Sequence, residues 1–151
     1  MLRLRAAVES DLADIFGLIG ELADYERLRQ EMLGSIEDLR RHLFAEPRFA
    51  QVVMADWDGR LAGFALYFFN YSTFLCRPGL YLEDLFVRPE FRGRGVGLNL
   101  LKELERRARA QGCGRFEWSV LDWNRDAIDF YLEFGAQPRA GWTLYRKQLA
   151  P

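Results

Sequence analysis

Apolar residues recur along this chain with two periods, and the alternation of those periods sketches the fold. Leu12, Ile15, Phe16, Ile19 and Leu22 are three or four apart and predict a helix that Ser10 is placed to cap. Ile36, Leu39 and Leu43 predict a second helix, with Ser35 and Asp38 forming a capping-box-like start. Val96, Leu100, Leu101, Leu104 and Ala108 form one face of a third helix, with Lys102, Glu103, Arg106 and Arg109 facing away. "QGCG" ends that helix, and Gly112 suits a left-handed cap. "WNRDAIDFYLEFG" predicts a short fourth helix closed by Gly135.

Between these segments the period shortens to that of strands. "MLRLRAAV" opens the chain as a short strand, and "AQVVMADWDGRLAGFALYFFNY" reads as a hairpin turning at Asp58-Gly59. "GLYLEDLFV", "RFEWSVL" and "GWTLYRKQL" read as three more strands. The order β-α-α-β-β-β-α-β-α-β predicts an α/β protein whose mixed sheet carries helices on its faces. The 151 residues suit a single domain over 1–151.

Composition narrows the chemistry. Half the residues are hydrophobic and 15% are aromatic, enough for a sizeable core. A formal net charge of -1 gives no global reason to expect nucleic acid or an anionic membrane as partner. No apolar run is long enough to span a bilayer and "MLRLRAAVES" lacks a signal-peptide core, so the expectation is a cytoplasmic protein. The two cysteines, Cys76 and Cys113, are far apart in sequence, and His42 is the only histidine. A disulfide framework, a zinc site and a His-centred triad are therefore not expected, and no metal is assigned. Chemistry must run on carboxylates, tyrosines, arginines and backbone.

"FRGRGVG", residues 91–97, lies between a predicted strand and a predicted helix. Such a junction is an anion site, because the first backbone N–H groups of a helix are unpaired and its dipole favours negative charge. Glycines remove the Cβ atoms that would block a phosphate, and Arg92 and Arg94 add charge. The plain alternative is a glycine turn with solvated arginines. A P-loop is absent, and the dinucleotide fingerprint does not fit, since position 98 is Leu98 and the loop lies past mid-chain.

What matches is R-x-x-G-x-G, written here Arg92-Gly93-Arg94-Gly95-Val96-Gly97, which resembles the pyrophosphate loop of the GCN5-related N-acetyltransferases. "WNRDAIDFYLEFGA" resembles a second signature of that superfamily. "ELADYERL", "YSTF", "YLEDLFVRPEFRGRGVG" and "SVLDWNRDAIDFYLEFGA" resemble its diamine/thialysine N-acetyltransferase family, which includes spermidine/spermine acetyltransferases. "VLDWN" is closer to the thialysine branch.

The resemblance implies an acetyl-CoA-dependent N-acetyltransferase of the GNAT fold. It implies that residues Arg92 to Leu98, with Val96 among them, hold the coenzyme's pyrophosphate. Leu85, Phe86 and Val87 would pair with the pantetheine arm as an added strand, and Asn124, with Ala127, would also hold the coenzyme. It implies Glu83 as a water-mediated base and Tyr131 as the acid that protonates the coenzyme A thiolate. Tyr25, Glu26, Glu83, Asp84, Trp118 and Trp142 would line the amine side. The implied partners are a small amine and, as in many relatives, a second copy of the chain as a homodimer.

The chemistry agrees with those residue types. A lysine-like amine needs about 4–5 kcal/mol to reach its neutral form at pH 7, so a positioned base helps. Glu83 and Asp84 are adjacent, and simple strand alternation sends them to opposite faces, Glu83 with Tyr81 and Leu85, Asp84 with Leu82 and Phe86. Two other functions remain open at this stage: a protein or peptide acetyltransferase, and a non-catalytic acyl-CoA sensor on the same fold. The chain also departs from the polyamine-binding pattern, which has an acid before Gly-Trp. Here Ala140 holds that place, beside Arg139, so amino-acid-like amines are expected over spermidine and spermine.

Overall fold

A computed structural model describes residues 1–150. The chain divides into two compact units, Met1–Ser119 and Val120–Pro151, each described by itself below.

The first unit is built on one five-stranded sheet in the order β1-β2-β3-β4-β5. The strands are β1 (Leu2–Ala6), β2 (Gln51–Trp57), β3 (Arg60–Ser72), β4 (Arg77–Val87) and β5 (Arg115–Trp118). The first three ladders are antiparallel and β4–β5 is parallel, the crossover being helix α3 (Val96–Ala110). The β2–β3 turn is the expected one: Asp58 and Gly59 both have positive φ, 49° and 79°. Helices α1 (Leu12–Tyr25) and α2 (Ile36–Phe44) bury Ile15, Leu18, Leu22 and Leu43 against Val52, Met54, Phe64, Leu66 and Phe86 on one face of the sheet. Tyr67 alternates to the opposite face, where its hydroxyl accepts a bond from Arg107 of α3 at 3.0 Å. The apolar face of α3 read from its period, Val96 to Ala108, is buried throughout.

Caps fall where the sequence placed them in three cases of four, Gly135 of the second unit among them. Ser35 Oγ accepts from the Asp38 N–H at 3.1 Å, and Gly112 ends α3 at φ 74°. Ser10 does not cap α1. A short 3-10 turn over Glu9–Asp11 intervenes and the helix starts at Leu12, because the Asp11 carboxylate takes the Val8 N–H at 2.8 Å and the guanidinium of Arg5 instead.

The second unit holds α4 (Arg125–Phe134), which Gly135 closes in the left-handed region at φ 101°. The last predicted strand is not formed. Residues 142–150 have no regular structure, and Trp142, Leu144, Tyr145 and Leu149 are 81–91% exposed. A strand exists by pairing, and among its described residues this unit has no second strand for the alternating pattern of "GWTLYRKQL" to pair with. "RFEWSVL" is likewise shortened to its first four residues, β5.

Candidate active site

Strand β4 carries the chemistry, and it is not regular. Leu66 pairs with Asp84 while Tyr67 pairs with Leu82, so Glu83 is one residue too many. This bulge changes the side on which everything after it lies. Before it, Tyr81 pairs with Phe68 and shares the face of Leu66; after it, Asp84 pairs with Leu66 itself. Tyr81 and Asp84 therefore share the α1 face, and Leu82 and Leu85 share the α3 face. The expected alternation, with Asp84 grouped with Leu82, is corrected by that single inserted residue. The register also puts Trp118, paired with Leu82, on the α3 face, so it does not join the acids there.

The C-terminal end of α1 reaches the same face. The Tyr25 ring lies 6.4 Å from that of Phe86, tilted by 60°. Glu26 follows it, close enough to Glu83 and Asp84 for the three charges to act on one another. Burial, then the charges of Glu83 and Glu26, push the Asp84 carboxyl up to about 7. Burial, then Glu83, raises Glu26 as well. Among the described residues none of the three is ion-paired. Glu83 is exposed, Glu26 and Asp84 partly buried. The set can attract a cation and accept its proton. No cluster of three or more His, Cys, Asp or Glu suited to a metal ion occurs among the described residues.

Past the bulge, β4 has a free edge. Its ladder with β5 stops at Leu82, so Leu85, Phe86 and Val87 pair with β3 on one side and, among the described residues, with no strand on the other. The chain then makes a short 3-10 turn over Pro89–Phe91 and enters the glycine loop. Gly93 and Gly95 adopt φ of 75° and 80°, a region costly for residues with a Cβ, and Gly95 is the residue before α3. The space over Gly93 is open, and over Gly95 only the Asn99 side chain comes near, at 3.5 Å. Gly97 and Leu98 follow Val96 in the first turn of α3, where N–H groups have no partner within the helix.

The two arginines behave unlike a simple pair of anion ligands. Arg92 Nε donates to the Val87 carbonyl at 2.9 Å, and its guanidinium sits over the rings of Tyr25 and Phe86 at 5.0 and 5.6 Å. Arg94 sits over Trp57 and Phe91 at 5.3 and 5.7 Å, and Arg60 lies over the same Phe91 ring at 4.9 Å. The sequence carried no signal for Tyr25 and Trp57 as partners, because they lie on distant elements. Tyr81 was also passed over. Its hydroxyl bonds Ser119 Oγ at 2.8 Å on the acids' side of the sheet, a position that parity alone could not reveal.

The remaining candidates lie in the second unit. Asn124 is buried and caps α4, its Oδ1 accepting from the Ala127 N–H at 3.3 Å. Tyr131 is a partly buried residue of the same helix. Trp142 is 81% exposed.

Comparison with known proteins meets this geometry. The sequence profile of the acetyltransferase (GNAT) family matches residues 13–136. A thialysine N-epsilon-acetyltransferase of Mus musculus is 38% identical over 95% of this chain and 91% of its own length. An L-ornithine N5-acetyltransferase of Arabidopsis thaliana is 42% identical over 74% of this chain and 46% of its own. Among solved structures, an integron cassette protein of V. cholerae superposes with a TM-score of 0.81 at 28% identity, covering 97% of this chain and 92% of that one. A glycine loop that opens a helix beside a free strand edge is thus found in a chain whose profile, relatives and fold agree, and the chain belongs to the acetyltransferase (GNAT) family and is an acetyltransferase.

Proposed function

We propose that this enzyme transfers the acetyl group of acetyl-CoA to the primary amine of a small, amino-acid-like substrate such as thialysine or ornithine, or of a short diamine. The carrying observation is the set of three carboxylates, Glu26, Glu83 and Asp84, with no cation of the first unit neutralising them beside the coenzyme loop. A fold keeps like charges together at a cost, and an incoming ammonium group removes that cost. The names of the relatives, thialysine and ornithine acetyltransferases, agree with such a substrate.

In this reading the free edge of Leu85–Val87 takes the pantetheine arm, and the loop from Arg92 to Leu98 takes the pyrophosphate on its backbone N–H groups. Asn124 and Ala127 are assigned to coenzyme binding on the family resemblance. Glu83 accepts the amine proton through water. The neutral nitrogen attacks the thioester carbon, the carbon–sulfur bond breaks, and the Tyr131 hydroxyl gives its proton to the departing thiolate. Tyr25 and Trp142 belong to the amine side, whereas Trp118, on the α3 face, does not. Arg139, where the polyamine pattern has no cation, suits a substrate carboxylate and opposes an extended polycation. A homodimer is part of the same reading, with the exposed segment from Trp142 to Leu149 available for it; a monomer in sedimentation at micromolar concentration would remove that part.

Release of free thiol measured against a panel of amines and peptides tests the proposal. Thialysine, ornithine and short diamines should exceed spermine and peptides in kcat/KM. Turnover on peptides alone would make the enzyme a protein acetyltransferase, and no release with any acceptor would make it a sensor. Tyr131→Phe should lower kcat by about 10²–10⁴-fold with little change in coenzyme affinity. Gly95→Glu, which puts a Cβ in the left-handed region and a repelling charge in the loop, should abolish coenzyme binding.

A further inference from the structure

Arg92 stands first in the glycine loop, where charge alone would turn it toward a bound phosphate. Its contacts turn it the other way. The Nε–H is held by the Val87 carbonyl at the end of β4, and the guanidinium plane covers Tyr25 and Phe86. Tyr25 is the last residue of α1, and Glu26 of the acid set comes next. One side chain thus joins the segment that would hold the coenzyme to the helix end that would hold the amine.

That helix end closes on a left-handed residue. After Glu26, whose N–H still bonds the Leu22 carbonyl, the chain passes through Arg27 at φ 61° before the Leu28 N–H returns to the Ala23 carbonyl. A left-handed residue that is not glycine makes this the least favourable turn of α1. The packing of Tyr25 against Phe86 and Arg92 adds to the bonds that Arg29 makes to Asp24 in the same turn.

We propose that Arg92 is a positioning residue that couples the two substrates: an occupied loop fixes the Arg92 backbone, the guanidinium then fixes the Tyr25 ring, and the α1 end presents Glu26 to the amine. The proposal rests on the reading of this enzyme as an amine acetyltransferase using acetyl-CoA. Coupling of this kind is reciprocal, so coenzyme and amine tighten each other's binding by one factor. Its carrier is a cation over a ring, which depends on charge and placement and is lost when the cation goes.

The test uses the full chain with coenzyme A as probe and reads amide hydrogen exchange over residues 22–28. In the wild type, coenzyme A should slow exchange there. Arg92→Gln should bind coenzyme A within about threefold of the wild type yet give no slowing, and its amine KM should rise about 5–10-fold with a smaller change in kcat. Arg92→Lys keeps a cation over the ring and should recover part of both effects. Tyr25→Leu should raise the KM similarly, and Arg92→Gln should add little to it, because both act through one contact. Two results would overturn the idea. One is exchange over 22–28 that ignores coenzyme A in the wild type. The other is an Arg92→Gln protein that loses coenzyme affinity tenfold or more while the slowing persists, which would make Arg92 an ordinary phosphate ligand. If coenzyme A slows exchange but no amine is ever acetylated, the functional reading fails and the coupling stands.

Discussion

Two aspartates of the first unit are both withdrawn from water and are treated in opposite ways. Asp11 is 7% exposed and fully partnered: Arg5 donates to its two oxygens at 2.7 and 2.9 Å, and the Val8 N–H adds a bond at 2.8 Å. The Arg5 bonds hold its carboxyl below the usual aspartate range against the opposing effect of burial. Asp84 is partly buried, has no ion pair, and faces Glu83 and Glu26; burial and those charges push it up to about 7. One acid ties β1 to the entry of α1. The other is left part protonated near pH 7. A fold that can place Arg5 so accurately could have paired Asp84 too, and under the proposed function the unpaired acid is where a cation is received rather than where the fold is held.

The largest expected effect comes from breaking the structural partner. Arg5→Leu leaves Asp11 charged, enclosed and bonded only to a backbone N–H, and should destabilise the protein by about 3–5 kcal/mol in denaturant unfolding. Under conditions where the variant is folded, kcat/KM should be near that of the wild type. The pH sign follows from the shift. An acid whose folded value is lowered stabilises above its ordinary 3.8 and loses that contribution as pH falls through the folded value. The stability gap between wild type and Arg5→Leu should therefore shrink in acid. A variant with full stability at pH 7 would show that Asp11 is not held by Arg5.

The opposite acid should give the opposite result. Asp84 has a folded value of about 7 against an ordinary 3.8. Below 3.8 it is neutral folded or unfolded and contributes nothing. Between 3.8 and 7 the unfolded chain ionises first and the folded state loses stability; above 7 the penalty is constant. Asp84→Asn removes the penalty, so it should raise stability by roughly 2–4 kcal/mol at pH 8 and change little at pH 4. Its kcat/KM for a cationic amine should fall. An Asn variant that is both less stable and fully active would reverse the roles drawn here.

The sequence made the regular half of this comparison legible. The glycine loop, α3 and its Gly112 stop, and the Ser35 cap all depend on neighbours within a few residues, and all stand where the pattern put them. The rest depends on distant partners. The link from Arg5 to Asp56 crosses 51 residues, and that to Asp11 shows only as a missing cap at Ser10. The bulge at Glu83 is a property of how β3 and β4 pair; reading β4 alone gave the strand and the wrong faces. The final strand failed for the same reason, since the period of "GWTLYRKQL" says which residues would share a face but cannot supply a neighbour. The roles of Glu83, Tyr131 and Asn124 came from resemblance, and the variants above are what test them.

The smallest effect is the most specific to Asp84. Near pH 7 its carboxyl is about half protonated. A cationic amine interacts better with the ionised form, so binding lowers the value and expels the proton. Amine binding to the coenzyme A complex, where no acetyl group is present and the amine keeps its charge, should therefore release up to about half a proton at pH 7. The release should grow toward pH 6 as more Asp84 starts protonated, and vanish at pH 9, where it is already ionised. Amine affinity should strengthen over the same range as pH rises. Calorimetry in two buffers of different ionisation enthalpy measures the protons directly. Asp84→Asn should abolish the release near pH 7, while Asp11, already ionised and paired, contributes none. Equal heats in both buffers at pH 7 would mean that Asp84 is charged before the amine arrives, and the contrast between the two aspartates would then be one of partners only.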